Sequence, residues 1–172
     1  MASQRSADVL SHLSAPAYGV GLLFVVLPIV DVLAQVWPPS VGSPSWRYGL
    51  VGLGANYLIS ALFGLLLICL TAAFDRRRRT LRWLGIANAV FAVLAVLAAI
   101  GFALDVLQLR PGVPRNNPLA LRMFDTGAAK AVFKYLVTAV AFAWVGLGAF
   151  RAARGIPAPA EADAPKLVGQ QS

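Results

Sequence analysis

The sequence predicts an all-α polytopic membrane protein, with four transmembrane helices packed as a bundle. Three observations predict it. Apolar residues make up 59% of the chain and charged residues 13%, against about 25% charged in soluble proteins. Four apolar stretches each reach the roughly 20 residues that carry a helix across a bilayer core. The basic residues, which leave a net charge of +8, crowd into short segments beside those stretches. Too few polar side chains remain to cover a water-soluble fold. The chain is also far too apolar to be disordered.

Residues 1–16 form a polar N-terminal segment in which Val9, Leu10 and Leu13 are scattered apolar positions. A short interfacial helix is expected there. The first span covers residues 17–37 and contains Pro28 and Asp31. A secretory signal is a competing reading, because Arg5 precedes an apolar core and Val32-Leu33-Ala34 stands before Gln35. The long polar lead and the acid beside the cut argue against cleavage. Residues 38–49, with three prolines, read as an outer loop. The second span runs 50–74 and is followed by an inner basic loop, 75–83. The third span, 84–107, is the most apolar in its centre. A Pro-rich, basic outer loop, 108–127, leads to the fourth span, 128–150, which begins with Lys130 and Lys134. The membrane domain thus covers 17–151. Residues 152–172 are a Pro/Ala-rich tail with no periodic pattern, expected to be mobile unless a partner holds it. All four runs are long, rich in Leu and Ala, and lack two-residue alternation, so helices are favoured over strands. No internal repeat and no inverted pair of broken helices marks a transporter.

Lys and Arg counts set the expected orientation. Arg5, Arg76–Arg79, Arg82, Arg151, Arg154 and Lys166 place nine basic residues on one side; Arg47, Arg110, Arg115, Arg122, Lys130 and Lys134 place six on the other. The larger number favours the cytoplasm, so both termini are expected inside a bacterial inner membrane. The tight arginine run in a short loop weighs most.

Ionisable groups at membrane depth are candidate functional groups. Asp31, Asp105, Lys130 and Lys134 all fall in the outer layer of the predicted bundle. Ion pairing is the simplest reading, Asp31 with Lys134 and Asp105 with Lys130, or the lysines snorkel to the interface. A proton or solute relay is the sharper alternative, but the inner halves of spans one and three offer almost no polar path. Asn56 and Ser60 share a face of span two, while Asn88 lies near the inner end of span three. Interhelical hydrogen bonds are expected for these three, at different depths. Ala95, Ala99 and Ala103, and Ala139 and Ala143, recur at the four-residue spacing that lets helices approach closely.

Catalytic chemistry finds no constellation to work with. The one histidine, His12, lies outside the spans, and the one cysteine, Cys69, has no second cysteine or nearby base. No metal site, cofactor site or phosphate-cradling glycine loop is expected. Trp37, Trp46, Trp83 and Trp144 stand near span ends, as interfacial aromatics do. Arg76, Arg77, Arg78, Arg79 and Arg82 suit topology and anionic lipid, or an acidic partner, rather than nucleic acid. Expected partners are membrane lipids and other membrane subunits, engaged through the outer loops and the tail.

Between residues 31 and 79 the chain reads Asp31, Trp37-Pro38-Pro39, Pro44-Ser45-Trp46-Arg47, Leu62-Phe63-Gly64-Leu65 and then the arginine run. This arrangement resembles a loosely defined group of bacterial four-span proteins that includes the HpsJ-like accessory proteins of polysaccharide secretion. Where that group carries Pro-Leu-Leu-Gly-Leu, this chain has Ala61 in the proline's place. The resemblance covers under a third of the chain and implies an accessory or structural role, with no catalytic residues. The expectation is therefore a non-catalytic accessory, structural or assembly subunit of a larger membrane complex, of respiratory, photosynthetic or secretion type. A small transporter or channel-like oligomer built on the Asp31/Asp105/Lys130/Lys134 layer is the first alternative. A lipid-binding protein is the second.

Overall fold

A computed structural model describes residues 2–114 and 116–156, with side chains from Leu13 onward. His12, Arg115, Lys166 and most of the Pro/Ala-rich tail, each weighed above, lie outside the described side chains. Four long helices carry the fold: α1 (Ala2–Gln35), α2 (Pro44–Phe74), α3 (Arg78–Leu109) and α4 (Pro118–Gly155). A single 3-10 turn, Arg110–Gly112, follows α3. No strand occurs among the described residues. All four helices are long and apolar enough to cross a membrane. The protein is therefore an all-α bundle of membrane-spanning helices, as the composition predicts.

The helices extend beyond the predicted spans because the prolines read as loop residues are helix starts. Pro44 and Pro118 each occupy the first turn of a helix, where a missing N–H costs nothing. Ser43 Oγ accepts from Trp46 N at 3.4 Å, and Asn117 Oδ1 accepts from Ala120 N at 3.1 Å, capping the two helices. Helix α2 thus begins at residue 44 rather than 50, and α4 at 118 rather than 128. The expected interfacial helix at the N-terminus is continuous with the first span. The basic loop predicted over 75–83 contracts to residues 75–77, so Arg78, Arg79 and Arg82 stand on the first turns of α3.

That contraction depends on how α2 ends. Arg76 N donates to Ala73 O at 3.1 Å and Arg77 N to Ala72 O at 3.0 Å. This paired closure puts Arg76 in the left-handed region, at φ 51°. Glycine usually holds that position. The chain reverses at once and α3 starts at Arg78.

Three buried clusters hold the bundle, and each draws its members from α2 and α4, two of them also from α3. Phe102 and Phe142 are fully buried. Tyr48 stacks between Phe102 and Phe124, with ring centroids 4.9 and 5.4 Å away. Helices α3 and α4 pack through Ala95, Ala99, Ala128, Ala131 and Ala139, all buried; small side chains let backbones come close. Glycines make the tightest approaches. A Cβ on Gly64 would lie 2.5 Å from Gly21 O, and one on Gly146 would lie 3.2 Å from Gly85 O. Helix α1 packs chiefly on α2. Only 6% of its most apolar window is buried, against 33% for α2 and α4.

Candidate functional site

The bundle has two chemically distinct ends. One carries the α2–α3 turn and its arginines. The other carries the links 36–43 and 110–117, with their prolines. The polar side chains singled out by sequence divide between these halves.

In the proline-loop half, three interhelical contacts form, with Arg47 roughly 13 Å nearer the start of α2 than Asn56 and Tyr57. Arg47 of α2 grips Asp105 of α3, with Nη2 at 2.6 Å from Oδ1 and Nε at 3.2 Å from both carboxylate oxygens. Lys134 Nζ of α4 donates to Asn56 Oδ1 of α2 at 2.7 Å. Tyr57 of α2 donates its hydroxyl to Asp31 Oδ2 of α1, and Gln35 Nε2 donates to the same hydroxyl at 3.1 Å. Nearby, Tyr135 OH donates to Val51 O at 2.7 Å. At the surface, Arg110 pairs with Asp125 at 3.0 Å.

The pairs expected from sequence, Asp31 with Lys134 and Asp105 with Lys130, do not form. Helix α2 starts early enough to bring Arg47 level with Asp105, which it neutralises. Asp31 sits on the outlying α1 and meets α2 at Tyr57. Lys130 is exposed and makes no ion pair among the described residues. Arg47, Gln35, Tyr57 and Tyr135 were missed by sequence reasoning. For Arg47 a signal existed: with Pro44 read as a helix start, Arg47 falls inside the span.

Ser60 has a specific task. Pro28 lacks the N–H that would bond to the carbonyl four residues back, Phe24 O. Ser60 Oγ donates to that carbonyl at 3.2 Å. Pro28, Asp31, Phe24, Tyr57 and Ser60 also line a groove of about 700 Å³ between α1 and α2, open to the surroundings.

Toward the arginine end the polar side chains are tied locally. Asn88 is fully buried; its Nδ2 donates to Leu84 O at 2.8 Å and lies 3.9 Å from Cys69 Sγ. Its Oδ1 is buried without a partner among the described residues. Thr71 Oγ1 donates to Leu67 O at 2.9 Å. Asn88 and Asn56 thus lie in opposite halves of the bundle and share no site. At the turn itself, Arg76–Arg79, Arg82 and Thr80 line a concavity of about 660 Å³. No group of three His, Cys, Asp or Glu side chains capable of holding a metal ion exists among the described residues.

No protein-family model, no curated protein and no solved structure matches the chain. The likeness to the HpsJ-like group therefore rests on the quoted residues alone.

Proposed function

We propose that the protein is a non-catalytic accessory or assembly subunit of a larger complex in the bacterial inner membrane, with both termini in the cytoplasm. The observation that carries this reading is the isolation of α1. Leu22, Leu23, Leu27 and Val30 are each more than half exposed, so α1 presents an apolar face to its surroundings nearly all round. Lipid alone covers such a face. It brings no cation to Asp31, which is exposed on the same helix and accepts from the Tyr57 hydroxyl but has no basic partner among the described residues. A neighbouring subunit that covers this face and brings a cation to that depth satisfies both. The orientation rests on the arginine run at the α2–α3 turn. Purification from native membranes in mild detergent tests the reading. Partners at fixed stoichiometry, lost on Asp31→Asn, support it; a solitary, monodisperse monomer overturns it.

A transport reading draws on one observation, the carboxylate of Asp31 in a groove open between α1 and α2. It requires flux in proteoliposomes that Asp31→Asn abolishes without loss of folding. In the arginine half, Thr71 bonds within its own helix and Asn88 bonds Leu84 O and Cys69 Sγ, and no onward polar path runs among the described residues.

A further inference from the structure

The concavity at the α2–α3 turn gathers five guanidinium groups around about 660 Å³. One acid stands beside them: Asp75, which reaches Arg77 at 3.7 Å. Arg76, Arg78, Arg79 and Arg82 make no ion pair among the described residues. Arg78 Nε is buried and has no hydrogen-bond partner among the described residues. Helix α3 begins at this wall, and its N-cap, Arg77, supplies no side-chain acceptor to the first backbone N–H groups. Arg78 N is already bonded to Arg76 O at 3.0 Å, and the positive end of the helix dipole adds to the guanidinium field. Guanidinium forks and helix N-terminal amides share one preferred ligand, a phosphate oxygen.

The surroundings select the source of that phosphate. Phe74 ends α2 two residues before Arg76, Trp83 follows Arg82 on α3, and the two are 74% and 63% exposed. Exposed aromatics at the end of a span mark head-group depth. Below Trp83, Ile86, Val90 and Leu97 are exposed on the same side of α3, at spacings that continue one stripe. A ligand with a phosphate in the concavity and hydrocarbon chains along that stripe satisfies both surfaces.

We infer that the α2–α3 turn is a head-group site for an anionic phospholipid, with Arg78, Arg79 and Arg82 as its phosphate ligands and the exposed face of α3 as the seat of its acyl chains. The site is independent of the accessory role proposed above, because it lies at the end of the bundle away from Asp31.

Charge-conserving variants provide the test. Lysine keeps the positive charge that sets topology but loses the guanidinium fork. The full chain, purified in mild detergent, is offered phosphatidylglycerol or phosphatidylcholine, and retained lipid is counted by native mass spectrometry. Wild type is expected to retain phosphatidylglycerol about tenfold more than phosphatidylcholine, and the triple variant Arg78→Lys/Arg79→Lys/Arg82→Lys to lose most of that preference. Arg151→Lys, a charge outside the concavity, should leave the preference intact. Equal retention by wild type and the triple lysine variant would overturn the inference, since diffuse charge would then explain the binding. So would displacement of the lipid by inorganic phosphate at equal concentration, which would assign the site to a soluble anion. Circular dichroism and gel filtration confirm the fold of the triple variant; should it fail to fold, the single Arg78→Lys variant gives the same reading, with a smaller loss expected and equal retention again overturning the inference.

Discussion

Arg47 holds Asp105 through two nitrogens at once, and the carboxylate lies with its side chain only 7% exposed. Bidentate geometry of this kind locks α2 to α3 in register as well as in contact. Removing one partner leaves the other uncompensated in a low-dielectric setting. Asp105→Asn is therefore expected to lower the thermal midpoint in detergent by several degrees. Asp125→Asn breaks the exposed pair with Arg110 and should leave the midpoint unchanged, because exposed pairs contribute little. Arg47→Lys should fall between wild type and Asp105→Asn. Equal effects at the two acids would contradict this ranking.

Ser60 and Pro28 form a compensating pair across α1 and α2. Ser60→Ala leaves Phe24 O without a donor and is expected to destabilise by about 0.6 kcal/mol, the usual scale for a hydrogen bond inside a membrane protein. In a Pro28→Ala background the helix regains its own N–H for that carbonyl. There Ser60→Ala should cost nothing measurable. Reversible unfolding of the four proteins in mixed micelles gives the coupling energy directly; additivity would rule the pairing out.

Gly64 sets the approach of α1 to α2. A methyl group there meets a backbone oxygen, Gly21 O, which cannot rotate away. Gly64→Ala should then cost about 1–3 kcal/mol, as overpacking does. Gly148 has nothing within 4 Å of the same added atom. Gly148→Ala is the matched control and should be silent in the same unfolding assay.

Orientation can be read with single cysteines in a Cys69→Ala background. Gly42→Cys, in the proline-loop link, should react with a membrane-impermeant maleimide on intact cells. Thr80→Cys, beside the arginine run, should react only after permeabilisation. The reverse pattern would invert the topology proposed for the protein.

The fold was legible because spanning helices need long apolar runs, and length and composition record those directly. Helix boundaries were less legible. Pro44 and Pro118 break a helix in its interior but begin one well, and a local pattern does not distinguish the two until the caps Ser43 and Asn117 are weighed beside them. Asp31 and Asp105 stand four residues before the ends of α1 and α3, as their positions in the sequence suggest, whereas the early start of α4 at Pro118 puts Lys134 deeper than the outer layer expected for it. Their partners were not readable, because partner choice depends on how helices are rotated about their axes. Arg47 reaches Asp105 and Tyr57 reaches Asp31 across interfaces that no one-dimensional spacing encodes. The Gly21–Gly64 contact was equally hidden, since it requires knowing that α1 lies on α2.

Helix α1 contributes no member to any of the three buried clusters; Tyr18 and Val25 reach them only as partly buried neighbours. Stripping α1 away leaves those clusters whole, whereas stripping away α2 takes residues from every one of them. Opening of this molecule is accordingly expected to begin at α1, before the remaining trio loosens.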